Sequence, residues 1–135
     1  MTAASNYLEN KVLDHVLKNT AYSQPSSLYL GLFNNTSTNA AANLEAGTLT
    51  DEVSGGSYAR KTVAFAASSG GTAATSATVT FDAATASWGS VTHVAVLDAS
   101  TSGNVLFWGA VTTAKTIDSG DTFQVTSGNL TISLA

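Results

Sequence analysis

Few side chains in this chain could attack a substrate, transfer a proton or bind a metal ion. The 135 residues include two histidines, no cysteine and only 10% charged residues. No Gly-x-Ser-x-Gly motif marks a nucleophilic serine. Two histidines on separate elements fall short of the four ligands of a closed zinc site. The sequence therefore predicts no catalytic residue, no metal site and no cofactor, and we expect a protein that is not an enzyme.

The two histidines have ordinary structural explanations. His15 follows Asp14 on a predicted helix, where adjacent residues point to different sides, so a surface position is favoured. His93 lies in the middle of an apolar strand segment. We expect it to be a structural histidine because it shares the strand phase of Val91, Ala95 and Leu97.

Several acidic residues lie in turn sequences. From Asp98 to Gly103, oxygen-bearing side chains and a glycine follow the start of a calcium-loop pattern, but its final glutamate position holds Gly109. Asp118 and Asp121 flank a Ser-Gly turn, where carboxylates commonly bond to the local backbone. Both segments are predicted to be plain turns.

Charge and apolar content exclude further classes of function. A net charge of −4 and five Lys and Arg residues do not suit nucleic-acid binding, which depends on neutralising phosphates. No run of about 20 apolar residues could span a membrane, and the N-terminus has no secretory-signal pattern. Much of the 44% hydrophobic content is alanine. The core should therefore be thin, and we expect homo-oligomers that bury further apolar surface.

The segment from Ser5 to Asn19 has the pattern of an amphipathic helix. Ser5 or Asn6 can cap its start, and Glu9 stands three residues after Asn6, as in a capping box. One side of the helix is apolar and comprises Leu8, Val12, Leu13, Val16 and Leu17. This side either packs on its own domain or docks on a neighbouring subunit or partner.

The rest of the chain is β-rich. Pro25 separates an N-terminal helix and connection (residues 1–24) from a β region (residues 25–135), both within one domain. Roughly seven or eight short strands with turns between them predict a mainly β fold, a single jelly-roll-like β-sandwich with one short N-terminal helix.

Two hairpins and one long connection are predicted within this region. The hairpins turn at residues 98–103 and at Ser127–Asn129. The connection, Asn34–Asp51, is weakly patterned. Loops of this length are usually functional or mobile, so it could form a surface arm that reaches a neighbour.

Four aromatic residues could stack on a sugar ring, while nearby Ser, Thr and Asn groups bond its hydroxyls. These residues are Tyr29, Tyr58, Trp88 and Trp108. Because aromatic residues more often anchor cores or pair across strands, a core role is favoured.

Arg60 is the only arginine, and it follows a turn at Gly55-Gly56 that places Tyr58 and Arg60 on one strand face. Its planar guanidinium suits a carboxylate partner. An internal pair with Glu52 is favoured over a contact between subunits. Tyr58 and Arg60 nevertheless join the apolar helix side as candidates for a subunit interface.

Three stretches of the chain together resemble a group of small structural proteins of tailed bacteriophages. The group is commonly labelled tail-fibre-like, and some members serve as capsid cement, or decoration, proteins. The similarity follows the chain in order and includes two closing segments. The three stretches are Ser5–Leu17, Glu52–Arg60 and Ala86–Val94 leading to Leu97-Asp98, and the two closing segments are Ser119–Phe123 and Leu130–Leu134.

This resemblance implies a β-sandwich that assembles as a homotrimer on the outer capsid surface of the virion. The protein would be made in the host cytoplasm and would clamp neighbouring subunits of the major capsid protein. The helix residues, Tyr58 and Arg60 are then candidates for contact with the capsid as well as with other copies. The alternative is a tail-fibre or tailspike module that binds host surface glycans.

Overall fold

The computed structural model describes residues 3–134, and within them the protein has two helices and nine strands. The helices are α1 (Asn6–Leu17) and α2 (Ala40–Glu45). The strands are β1 (Ala3–Ala4), β2 (Tyr29–Phe33), β3 (Lys61–Thr62), β4 (Thr72–Ala74), β5 (Val79–Thr80), β6 (Gly89–Leu97), β7 (Val105–Ile117), β8 (Gln124–Val125) and β9 (Thr131–Ser133). The mainly β composition with an N-terminal helix is confirmed. Residues 1, 2 and 135, at the outer ends of the predicted segments 1–24 and 25–135, lie outside the described residues. The division between these two segments remains a prediction.

Five strands form one antiparallel sheet in the order β1-β7-β6-β2-β3. Its centre is the hairpin of β6 and β7, joined by the turn at residues 98–103. This predicted hairpin is confirmed. Asp98 stabilises the turn, since its carboxylate accepts the backbone N–H of Asn104 at 2.7 Å and the side-chain amide of the same residue at 2.9 Å.

The predicted terminal hairpin is wrong, because the last two strands pair with earlier strands instead of with each other. β8 pairs with β5 and β9 pairs with β4, which makes two separate two-stranded ribbons. The turn between β8 and β9 does form. The N–H of Gly128 donates to the carbonyl of Thr75 at 2.9 Å, so the turn is tied to the connection between β4 and β5.

The central sheet is apolar on both faces. On β2, Leu30 and Leu32 belong to one buried cluster and Phe33 belongs to the other, as the two-residue period of a strand requires. Residues of both ribbons join the first cluster, and α2 contributes Leu44 to the second. A five-stranded sheet therefore separates two cores. The jelly-roll-like sandwich itself remains a prediction.

The connection between β2 and β3 folds around one buried carboxylate. Asp51 accepts hydrogen bonds from the N–H and hydroxyl of Ser37 at 2.9 and 2.6 Å, and others from Thr36 and Asn43. Burial opposes ionisation, but these hydrogen bonds hold the pKa of Asp51 below its usual value. The segment expected as a surface arm is thus a folded cap that places Leu44 of α2 against the sheet.

A large irregularity interrupts the pairing of β6 and β7. Val91 pairs with Lys115 and His93 with Ala110, so a two-residue step on β6 faces a five-residue step on β7. Val91 consequently lies in the first core, while His93 lies on the opposite face with Ala95. The predicted shared phase of His93 and Val91 is therefore wrong, because the alternation of β6 itself is interrupted at this irregularity, which places Val91 and Val94 in the same core.

The Gly55-Gly56 turn allows a test of this packing. Both glycines have positive φ, at 76° and 58°. A Cβ at Gly56 would lie 2.8 Å from Trp88 Nε1 and 2.9 Å from the Ala86 carbonyl oxygen, whereas a Cβ at Gly55 would meet open space. Both alanine variants should lose about 1–2 kcal/mol of stability because alanine is strained in this conformation. Gly56→Ala should lose about 1–3 kcal/mol more through the clash.

Denaturant unfolding of the two variants measures this difference directly, because Gly55→Ala is the matched control for strain. Equal losses of unfolding free energy in Gly55→Ala and Gly56→Ala would show that the Trp88 contact does not restrict this turn.

Candidate functional site

The first turn of α1 is fixed to the central sheet by one buried serine. The N–H of Ser5 donates to the carbonyl of Leu106 at 2.9 Å, and its hydroxyl donates to the carbonyl of Val105. The same hydroxyl oxygen accepts the N–H of Leu8 at 3.3 Å, which makes Ser5 the N-cap. Ser5, not Asn6, therefore caps the helix, and both of its polar groups tie the cap to β7.

Beyond this first turn the helix leaves the domain surface. Leu8 is 6% exposed and packs on the protein, but every residue from Glu9 to Ala21 is exposed. Packing on the chain's own domain therefore buries only one member of the predicted apolar side. We call the remaining members the helix patch; they are Val12, Leu13, Val16 and Leu17, with exposed fractions of 38%, 53%, 69% and 78%.

The chain reverses direction immediately after α1. Asn19 adopts a left-handed conformation with φ of 55°, and the carbonyl of Asp14 accepts the N–H groups of Lys18 and Thr20, both at 3.0 Å. His15 lies on the surface, as expected, and its Nδ1 accepts the N–H of Tyr22 at 3.1 Å. The returning segment is therefore tied to the last turn of the helix.

An apolar depression lies between the helix, the returning segment and the sheet. We call it the apolar pocket. It has a volume of about 450 Å³ and is lined by Leu8 and Val12 of α1, by Tyr22, Pro25 and Leu28, and by residues of β4, β6, β7 and β9 and their connections. None of its lining residues is charged. Val12 belongs to both the pocket and the helix patch, so the two surfaces are continuous.

Tyr58 and Arg60 make contacts within the protomer. Arg60 donates from Nε and Nη2 to the two carboxylate oxygens of Glu52, at 2.6 and 2.7 Å, which confirms the predicted internal pair. Its Nη1 donates to the carbonyls of Ala99 and Ser102 in the β6–β7 turn. Tyr58 donates its hydroxyl to Glu52 at 2.9 Å. The role of Tyr58 and Arg60 at a subunit interface remains a prediction.

Electrostatics stabilise the charged state of this network. Burial alone would lower the pKa of Arg60, but its bonds to Glu52 and the charge of that carboxylate raise the pKa above the ordinary value. Burial and the nearby Glu52 charge raise the pKa of Tyr58, so its hydroxyl keeps the proton it donates. The network links the segment that follows the Gly55-Gly56 turn to the β6–β7 turn.

The four aromatic residues considered for sugar stacking differ in accessibility. Trp88 is 3% exposed and donates Nε1–H to the carbonyl of Gly56 at 2.9 Å, so its favoured core role is confirmed. Trp108 is half-buried, and its Nε1–H donates to Glu45 at 2.7 Å. Tyr29 and Tyr58 are also half-buried. Trp88 is therefore inaccessible to a sugar ring, while Trp108 keeps part of its surface open.

The remaining polar groups considered from the sequence serve the local structure. The N–H of Asp118 donates to the carboxylate of Asp121 at 2.9 Å, as expected for a turn. Burial lowers the pKa of His93, and the charge of Asp51 partly offsets this effect. Across residues 3–134, no three His, Cys, Asp or Glu side chains cluster as metal ligands. In the same range, no helix has the length and apolarity needed to cross a bilayer.

The helix patch yields a direct test of association. Leu13→Asp and Val16→Asp each place a charge on this apolar surface, and burying an unpaired carboxylate is costly. We expect the dissociation constant for self-association to rise by about a hundredfold, or ~3 kcal/mol. Sedimentation over a range of concentrations measures the change.

Lys11→Glu is the control, because it adds an acidic residue on the opposite side of the same exposed helix. It should leave the sedimenting species unchanged. If Leu13→Asp and Val16→Asp also sediment and melt like the unmodified protein, the helix patch takes no part in association.

Comparison with known families agrees with the resemblance noted in the sequence. A family model described as "Podophage GP4 fiber I protein gp80" matches residues 3–133. The match covers nearly all of the described chain, including α1, the central sheet and both ribbons. No curated protein matches the chain.

Proposed function

The chain belongs to the podophage GP4 fiber I protein gp80 family, and on that premise we propose that it is a capsid cement, or decoration, protein. Family membership makes it a structural protein of the phage virion. In the proposal, three copies form a homotrimer that binds the outer surface of the major capsid shell and stabilises it. The protein is made in the host cytoplasm and acts on the assembled particle.

The observation that carries the proposal is the exposed helix patch on a helix attached at one end. Isolated helices shorter than about 12–15 residues are marginal in water, and α1 has 12 residues. Four large apolar side chains in its exposed part are better explained by contact with another protein than by contact with water. A protein whose main uncovered feature is an apolar contact surface suits assembly.

The remainder of the protomer suits the same role. The sheet has a core on each face, and Arg60, paired with Glu52, ties the segment before β3 to the turn of the sheet's central hairpin through its bonds to Ala99 and Ser102. A stiff body of this kind loses little conformational freedom when it binds. In this proposal the protein needs no catalysis and no cofactor, and its partners are other copies and the major capsid protein, not nucleic acid or a membrane.

Stabilisation of the shell would arise by mass action. A protein that binds only the assembled shell stabilises it by RT ln(1 + [L]/Kd) at each site. Many copies on a symmetric shell multiply this local free energy across the particle. The stabilisation of the shell therefore depends on the shape of the protein, its apolar contacts and its copy number.

The decisive test compares particles that contain the protein with particles that lack it. We expect the particles without it to release their genome at a lower temperature, and added purified protein to restore the original release temperature. Added Val16→Asp protein should restore it less well at equal concentration, and Lys11→Glu protein should restore it fully. Identical release temperatures for particles with and without the protein would contradict the cement function.

A second candidate is a tail-fibre or tailspike module that binds host surface glycans. The word "fiber" in the matched family's description favours it. Trp108 keeps part of its ring open, and a partly open indole ring can stack on a sugar. On a glycan array, the cement proposal expects no specific signal. A signal that Trp108→Ala removes and Lys11→Glu retains would favour the glycan-binding function instead.

A further inference from the structure

We propose that the helix patch of one copy fills the apolar pocket of the next copy, so that the copies join head to tail. This inference rests on the proposed self-association and names the surface that α1 contacts. The helix patch of each copy would bind one neighbour, and the apolar pocket of each copy would hold the helix patch of another neighbour. The occupant of the pocket is therefore a second copy of this chain.

The size of the pocket fits this occupant. An apolar cavity of about 150 Å³ is large enough to hold benzene. The apolar pocket, at about 450 Å³, has room for about three groups of that size. Leu13, Val16 and Leu17 are the three most exposed members of the helix patch, and they lie within two turns of one helix.

The chemistry of the two surfaces also agrees. The lining of the pocket has no charged residue, so it offers no partner to an acidic or basic segment. At about 100° per residue, the helix patch covers an arc of about 140°. Asp14 and Lys18 fall outside this arc and would stay in water when the patch is buried, whereas Glu9 falls inside the arc, one turn before Leu13.

The helix cannot fill the pocket of its own chain. Leu8 and Val12 already line that pocket from one side. With a rise of 1.5 Å per residue, Leu17 lies about 13 Å beyond Leu8 along the helix axis. Bending the helix back would break its hydrogen bonds and release the tie between His15 and Tyr22. The helix of a second copy can enter the pocket without breaking its own hydrogen bonds or the bond between His15 and Tyr22.

Symmetry follows from the use of two different surfaces. A contact between unlike surfaces is heterologous, and it forms a closed ring when the rotation between copies closes. A ring of three gives the proposed homotrimer, with three filled pockets and three covered helices. Contact between two like helix patches would instead form a two-fold dimer with the pockets left unfilled.

Crosslinking tests the contact, because the chain contains no cysteine. Leu17→Cys places a thiol on the helix patch, and Ser68→Cys places one at the exposed rim of the pocket. The two single variants, one carrying a mass tag, are mixed and treated with a short bismaleimide. We expect mixed crosslinked dimers at a yield at least about tenfold above that of Leu17→Cys mixed with Thr101→Cys, whose thiol lies on the exposed β6–β7 turn.

A second variant tests the same contact without crosslinking. Ser68→Trp adds a bulky side chain at the rim of the pocket, at an exposed position that should not affect folding. We expect it to weaken self-association by about tenfold or more, with the melting temperature of the dilute protein unchanged. Unchanged association of Ser68→Trp, or Leu17→Cys crosslinking mainly to itself, would overturn the head-to-tail contact.

These outcomes are separable from the proposed cement function. Trimers that crosslink as expected but leave the release temperature of particles unchanged would contradict the cement function alone. Particles stabilised by trimers whose Leu17 and Ser68 positions fail to crosslink would contradict the head-to-tail contact alone.

Discussion

The N-terminal helix is anchored in the buried part of the protein only through its first turn, and this constraint determines what the protomer exposes. Ser5 and Leu8 fix the first turn against β7, and from Glu9 onwards the helix residues are exposed, although Val12 also lines the apolar pocket. A single anchored turn supplies little of the packing that usually stabilises a short helix. The protomer therefore presents an exposed apolar helix side, and the proposed assembly would cover it.

The body of the protein keeps this helix and the neighbouring pocket in a fixed relation. The central sheet is packed on both faces, and the cap formed by α2 is tied around the Asp51 carboxylate. Arg60 adds a buried bidentate pair with Glu52 and two bonds to the β6–β7 turn. In the proposed assembly, contacts between copies would use surfaces that are already in place, which would limit the entropy lost on binding.

The sequence predicted the features that depend on neighbouring residues. The spacing of apolar residues in α1, the turn at Asp98 and the pair of Arg60 with Glu52 are of this kind, and all three are present. The apolar spacing indicated which side of the helix is apolar, but not whether the chain's own domain covers that side. The exposure of Leu13 and Val16 therefore became visible only in the structure.

Features that depend on distant residues were missed. The pairing of β8 and β9 with earlier strands has no local signal, so a nearby turn favoured a hairpin that does not form. The phase of His93 relative to Val91 depends on an irregularity in the pairing of β6 and β7 that the local pattern does not show. The helix α2 is short and alanine-rich, and it is held in place by a carboxylate several residues away. Each error came from tertiary contacts that override local pattern.

Hydrogen exchange at the backbone amides of residues 9–18 most directly tests whether assembly covers the helix. When the protein is diluted until it sediments as a monomer, these amides should exchange rapidly, while those of β6 stay protected. At concentrations where the oligomer dominates, the helix amides should become protected as well. Strong protection of residues 9–18 in the monomer, unchanged on association, would contradict the account.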